Sequence, residues 1–552
     1  MIVGSYARRG WVGMRASALL ALLFGLATGC RIGELNVGDN LPDNSDAGDA
    51  GIDGGLCVPE STTECYTGPA GTSGVGLCRP GAAICNADGM GYGDCVGPVL
   101  PQVEDCATPV DEDCDGLAPP CKGAALWSKR FGDASDQIGY SIAVDSGDSI
   151  LITGEFSGGV DFGGGALASA GSTDAFLVKL DADGTHLWSK RFGDLAAQIG
   201  RAVATDQAGN ALLTGSFEGV ADLGGVPLQS QGDFDILLAK FDADGNHVWS
   251  KQFGDPSVQG ATAIAADGAG NVLITGCLEG AVEFGGGLLA SAGNCDVFLA
   301  KFDGMGAHVW SKHFGGTGDQ VATGLAADIA GNILVTGFFT GAVDFGGDLL
   351  VSAGSEDAFI AKFDALGNHV WSKRFGDEGP QVASDVAADS QGKIAAAGYF
   401  DGQAGFGADL LTSAGSSDAF LARLDVGGNH EWTKRFGDAS GQVAQAIAVD
   451  NSGNVLVSGN FTGTVDFGGG PLASAGNGNE GEDVYLVKLD TDGNHLWSKR
   501  FGDALAQGCY DVAADNSGNA LVTGLFYGTI DFGNGPLVSA GSRDVFIAKF
   551  SP

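Results

Sequence analysis

The sequence predicts an all-β protein, a seven-bladed β-propeller over residues 122–552, and three observations carry the prediction. Trp127, Trp188, Trp249, Trp310, Trp371 and Trp432 stand 61 residues apart, and Trp497 follows after 65. Each unit holds four strand signals separated by turn residues. The units are also out of phase with the chain, so that its first and last pieces complement each other. A period of this length points to a propeller or solenoid, because one core cannot serve 552 residues.

In the unit opening at Trp432, Ala446–Val449 reads as strand a, Asn454–Gly459 as b, Asp483–Leu489 as c and His495–Phe501 as d. Asp450-Asn451-Ser452-Gly453-Asn454 and Asp490-Thr491-Asp492-Gly493-Asn494 are hairpin loops in which Asp caps the turn and Gly takes the left-handed position. Four antiparallel strands make one blade. The long spacing before Trp497 comes from an insertion at Asn477–Glu482, so the period survives. No helical periodicity competes.

The array opens with a lone d strand at Leu126–Lys129 and ends with a lone c strand at Asp544–Phe550. Six complete units lie between, and the N-terminal d strand completes the seventh blade and closes the ring. An open β-solenoid is the alternative. Strand a, rich in Ala and Val, suits the crowded axis. Strand d carries Trp, Lys and Arg and suits the outer edge, where charge discourages sheet-to-sheet pairing.

Residues 1–29 read as an export signal. Arg8, Arg9 and Arg15 precede an apolar run, Ala16–Ala27, too short for a permanent span. The run ends Leu26-Ala27-Thr28-Gly29-Cys30, which resembles the lipobox of bacterial lipoproteins. That resemblance implies a lipid on Cys30 and a protein anchored to the membrane, at the outer membrane or cell surface of a Gram-negative bacterium. Residues 30–56, rich in Asp, Gly and Asn, form a flexible acidic tether. A net charge of −40 repels phosphate backbones and excludes nucleic acid as a partner.

Residues 57–121 hold Cys57, Cys65, Cys78, Cys85, Cys95, Cys106, Cys114 and Cys121. An even count at this density in an exported segment reads as a disulfide framework whose connectivity the sequence leaves open. Zinc is the rival reading, but the module contains no His. Asp111, Asp113 and Asp115 precede Gly116 and form a D-x-D-x-D-G run that can wrap oxygen ligands around calcium, although Lys122 stands where an EF-hand places its bidentate Glu. The segment from Cys65-Tyr66-Thr67-Gly68-Pro69 to this run resembles cysteine-rich metal-binding modules of large bacterial surface proteins. Within the repeats, Cys277 and Cys295 fall in one blade and are expected to pair, whereas Cys509 has no evident partner.

The segments Ile142-Ala143-Val144-Asp145, Ile152-Thr153-Gly154 and Asp174 to Asp181 resemble the bacterial SBBP-type β-propeller repeat. The resemblance extends over all seven units and implies a propeller on a surface protein, with no common catalytic residues. The stretch Asp181 to Trp188 is also similar to the docking motif of quinoprotein propellers, read as shared blade construction.

A residue repeated in every blade becomes a ring. His186, His247, His308, His369, His430 and His495 lie on outer strands, roughly 15–20 Å apart, too far to share a metal. Gln137, Gln198, Gln259, Gln320, Gln381, Gln442 and Gln507 precede strand a, where neighbours stand roughly 6 Å apart. They either line a central mouth that binds water, an ion or a polar ligand, or satisfy the backbone of their own d-to-a loops. Asp133 and its equivalents stand nearby and make that mouth electronegative. Asp174 and Lys179, with their equivalents, read as structural turn and surface residues. No catalytic motif is present. The expected function is a non-catalytic binding scaffold for a protein or glycan. An enzyme at the central mouth, of lyase, glycosidase or quinoprotein type, and an outer-membrane assembly scaffold are the alternatives; an asymmetric charged cluster at one mouth would favour the enzyme.

Overall fold

The computed structural model describes residues 57–69, 71–102, 111, 114, 122–407, 409–476 and 481–552. They divide into two compact units that meet in sequence between Ala124 and Ala125. In the smaller unit, Thr62–Cys65 pairs antiparallel with Gly81–Ile84. Three disulfides, Cys57–Cys85, Cys65–Cys95 and Cys78–Cys114, hold it together. Cys106 and Cys121 lie outside the described residues.

The larger unit is the seven-bladed propeller. Blade 1 consists of strand a, Gln137–Val144, strand b, Ile150–Phe156, strand c, Asp174–Leu180, and strand d, His186–Phe192. Blades 2 to 6 repeat the a-b-c-d sheet over residues 198–253, 259–314, 320–375, 381–436 and 442–501. Blade 7 takes strands a, b and c from Gln507–Ala514, Ala520–Phe526 and Asp544–Phe550. Its d strand is Ala125–Phe131, antiparallel to Asp544–Phe550, so the ring closes as the repeat phase requires.

Strand a runs further back than its alternation suggests. It starts at the Gln, eight residues long, and carries a bulge, in blade 1 between Gly139 and Ser141. The bulge breaks the period-2 pattern and hides the first half of the strand from a reading by alternation. A second feature was not anticipated: in each blade the b-to-c connection folds into its own small hairpin, such as Gly159–Asp161 with Ala166–Ala168. Asp161 caps its turn by accepting from Gly163 and Gly165 N–H, and Phe162 drops into the core 4.9 Å from Phe176.

Strands b and c are buried on both faces, because each blade is sandwiched between two others. Strand c also carries charge into that interior. Asp174 and Lys179 are buried, in contrast to the expectation of surface residues. Each has a partner: Asp174 with Arg191, and Lys179 with Asp145 at 2.9 Å. The second pair recurs in every blade, with Arg423–Asp389 in blade 5. Lys179 Nζ also donates to the carbonyls of Gly209 and Ala243 in blade 2, which stitches adjacent blades together.

The outer strand makes a parallel stitch. Trp188 Nε1 donates to the Ala243 carbonyl at 3.0 Å, and its ring lies over Gly245 in the next blade's c-to-d turn. A Cβ on Gly245 would stand 2.7 Å from the indole, and the residue sits at φ +82°, so glycine is required twice over.

Candidate functional site

The glutamine ring is internally satisfied, whereas each strand-c Asp, from Asp174 to Asp544, keeps a buried Oδ1 without a hydrogen-bond partner among the described residues. Gln137 is fully buried: its Oε1 accepts from Asp133 N–H, and its Nε2 donates to Asp133 Oδ1 and to the Ser157 carbonyl. Asp133 Oδ2 accepts from Gly159 N–H at 2.8 Å. Burial pushes the Asp133 carboxyl up, but bonds from Ser135, Gly159 and Gln137 together hold it below its ordinary value. Gln198, Gln259, Gln320, Gln381, Gln442 and Gln507 are buried in the same loops. Of the two arrangements open from sequence, the amides adopt the one that ties the d-to-a loop. The outer histidines pack similarly, His186 against Gly163 and Gly164 with Nε2 3.0 Å from Ser189 Oγ.

Chemistry gathers instead at positions that differ between blades. The d-to-a loops, the ends of strand b and the starts of strand c meet on one face near the inner strands. Gln137 N–H donates to the Arg543 carbonyl, and Ser157 N–H to that of Asp136. On the arc formed by blades 7, 1 and 2, Tyr140 OH donates to Glu155 Oε1 at 2.9 Å. The Arg201 guanidinium lies 4.7 Å over the Tyr140 ring, whose other neighbour is Tyr510 at 5.4 Å. Arg543 grips Asp136 with two bonds, 3.0 and 2.7 Å, and holds that carboxyl down to about 2.

The opposite arc, blades 3 to 5, carries Glu279, Asp319, Glu356 and Asp401. Burial and the charge of Asp319 push both Glu279 and Glu356 above the usual carboxylate range. Beneath lies an apolar cluster separate from the seven blade cores: Cys295, Val321, Phe338 and Val382, with Cys277 and Tyr399 packed against it. Cys277 and Cys295 form the expected disulfide. The face is therefore asymmetric, with arginine and tyrosine contacts on blades 7, 1 and 2 and the acidic residues, above this buried cluster, on blades 3 to 5. Reading for rings passed over these residues, because a ring search retains what is repeated. Comparing the seven units column by column for what differs is the signal that finds them.

Two further carboxylates stand on inner strands. Asp511 Oδ2 accepts from Ile142 N–H of blade 1, and Asp385 Oδ2 from Ile447 N–H of blade 6. Burial pushes Asp385 up to about 7, with Asp511 adding to the effect, and burial pushes Asp511 up to about 6. Cys30, Asp113 and Asp115 lie outside the described residues. Asp111 is buried, its carbonyl accepting from Leu77 N–H at 2.9 Å, and Cys114 is bridged to Cys78.

A family model described as a β-propeller repeat, SBBP, matches residues 431–463. The chain is 22% identical over 457 residues to an uncharacterized WD repeat-containing protein of Acanthamoeba polyphaga mimivirus, covering 64% of this chain and 32% of that protein. It is 24% identical over 478 residues to regulatory protein FlaEY of Caulobacter vibrioides, covering 75% and 47%. The chain thus spans between about a third and a half of the length of these relatives. Among solved structures, the Neurospora crassa Pan2 WD40 domain aligns with TM-score 0.39 at 10% identity, covering 78% of this chain and 98% of that one. Sqt1 from Chaetomium thermophilum aligns with TM-score 0.37 at 11% identity, covering 76% and 85%.

Proposed function

We propose that the chain is a lipoprotein of the bacterial outer membrane or cell surface, anchored through Cys30, whose propeller binds a protein partner at the asymmetric mouth. One observation carries the binding reading. Seven near-identical blades keep a buried Gln and a buried Asp paired with Lys or, in blade 5, Arg, yet diverge at the positions that converge on that mouth. A scaffold built only to stand as a ring has no use for such divergence, whereas a site shaped to one ligand requires it.

The same asymmetry is what a catalytic mouth would display, so an enzyme is the second reading. Against it, burial and the Glu155 charge push the Tyr140 phenol far above its ordinary range and keep it a hydrogen-bond donor. Burial does the same to Tyr510. Neither is poised as a base near neutrality. Calcium belongs to the proposal as a ligand of Asp111, Asp113 and Asp115, to be tested by a calcium-dependent rise in the melting temperature.

Envelope proteins cross-linked in vivo to the wild type should be lost from a variant carrying Arg201→Ala and Tyr510→Ala that retains its melting temperature. Capture unchanged by these substitutions would overturn the mouth as the binding site. An acyl analogue fed to the cells should label the wild type and not Cys30→Ala; an unlabelled wild type would overturn the anchor.

A further inference from the structure

Arg201 stands apart from the other arginines of the propeller. Each of those is ion-paired with an aspartate, from Arg130 with Asp544 to Arg543 with Asp136. Arg201 has no carboxylate partner among the described residues, in a chain of 68 Asp and Glu against 28 Lys and Arg. Its guanidinium is held instead over the Tyr140 ring, 4.7 Å from the centroid. A cation over a ring gives none of its N–H donors to an oxygen, so the fork that recognises planar anions stays open.

Strand register explains where this group is aimed. Tyr140, Arg201 and Tyr510 are the residues that the bulges of three inner strands leave unpaired, between Gly139 and Ser141, Gly200 and Ala202, and Cys509 and Asp511. A bulge re-aims the side chain it releases. Here the three converge, with the Tyr510 ring 5.4 Å from the Tyr140 ring that carries Arg201, and all three stay half-buried rather than closed off. At the same bulge in blades 3 and 4, Thr262 and Thr323 donate their hydroxyls to the Ala322 and Ala383 carbonyls of the next blade. The Tyr140 hydroxyl is taken by Glu155, but the Tyr510 hydroxyl has no partner among the described residues. This arc therefore offers a guanidinium and a phenol O–H for which the fold supplies no acceptor. A carboxylate matches the set: its two oxygens fit the guanidinium fork, one of them also accepts from the hydroxyl, and its single charge suits a lone cation beside Glu155.

Resting on the reading of the mouth as a protein-binding site, we propose that Arg201 and Tyr510 receive a carboxylate of the partner, supplied by a chain terminus or by an Asp or Glu side chain.

The test titrates short peptides into the full chain at ~0.15 M salt, where long-range charge is screened. Acetyl-Gly-Gly-Gly carries a terminal carboxylate, acetyl-Gly-Asp-Gly amide an internal one, and acetyl-Gly-Gly-Gly amide none. At least one carboxylate peptide should bind saturably and at least about tenfold more tightly than the uncharged amide, and which one does so identifies the source. With a net charge of −40 the protein as a whole repels anions, so such a preference has to be local. Arg201→Gln should abolish it, and Arg201→Lys, which keeps the charge without the fork, should restore it only in part. Tyr510→Phe keeps the ring and should weaken the carboxylate peptide about threefold to tenfold. Lys122→Gln, at an exposed site outside the blades, should change binding by less than about twofold. Carboxylate and amide peptides bound alike, or a preference that survives Arg201→Gln, would overturn the inference. If the preference is absent while Arg201→Ala with Tyr510→Ala still abolishes cross-linking to the envelope partner, the carboxylate is wrong and the binding mouth stands. Cross-linking that survives Arg201→Gln although the peptide is lost would overturn the partner's carboxylate as the occupant.

Discussion

Lys549 Nζ donates to the Ala182 carbonyl at 3.0 Å across 367 residues of sequence, and pairs with Asp515 at 2.9 Å in its own blade. The contact is the blade 7 to blade 1 copy of the bond that Lys179 makes with Ala243 from blade 1 to blade 2. The closing seam therefore has the same buried stitch that Lys179, Lys240, Lys301 and Lys362 make at their joints.

Breaking that stitch leaves a buried carboxylate without its cation, a loss of roughly 3–5 kcal/mol. Lys301, whose pair with Asp267 is almost wholly buried, is the test position. Lys301→Met should lower the denaturation midpoint by that amount. Lys301→Arg should cost less, because blade 5 carries Arg423–Asp389 at the same place. Equal losses in the two variants would show that charge is not what the position supplies.

Gly245→Ala should destabilise by at least about 1–2 kcal/mol from its left-handed backbone alone, with a further loss from the approach to Trp188. Gly268→Ala, where the nearest atom is a distant side-chain nitrogen at 3.9 Å, should cost much less. A lower melting temperature for the Gly268 variant than for the Gly245 variant would contradict the docking role of the turn.

Asp385 sets a pH dependence whose sign follows from its raised carboxyl. Between about pH 4, where an unfolded Asp titrates, and about pH 7, the native chain binds a proton that the unfolded chain does not. Its contribution to stability therefore falls as pH rises through that window and is level above it. Asp385→Asn does not titrate. The melting temperature of the variant relative to wild type should thus rise from pH 5 to pH 8, and a difference that stays level or falls would refute the assignment.

Alkylation followed by peptide mass analysis should modify Cys277 and Cys295 only after reduction. Cys509 is bridged to no other cysteine among the described residues, is buried, and has a thiol pushed up to about 12 by that burial. It should react on unfolding alone, without reductant. Alkylation of Cys277 in unreduced protein would disprove the bridge.

What the sequence disclosed and what it withheld divide along the repeat. Trp127 to Trp497, the capped turns and the split seventh blade declared the architecture, because each is a local signal amplified by recurrence. The buried partners of Asp174 and Lys179 were hidden, since pairing with Arg191 and Asp145 follows from sheet register and blade contact rather than spacing. The mouth was hidden for a different reason. Tyr140, Arg201 and Tyr510 come from blades 1, 2 and 7, and Tyr140 reaches Tyr510 only once the ring is closed, so nothing within a single unit marks them.

The borrowed outer strand of blade 7 also makes the molecule mechanically polar. Ala125–Phe131 is held by one antiparallel ladder to Asp544–Phe550, by the Arg130–Asp544 pair and by the bond from Trp127 Nε1 to the Ala182 carbonyl of blade 1, and the segment before it leads directly into that strand. Tension arriving from the N-terminal side loads this one ladder first, peeling it from an end, while the other six blades each close within a continuous stretch of chain. The propeller thus has one clasp that an upstream pull loads directly, where every other blade is closed by continuous chain.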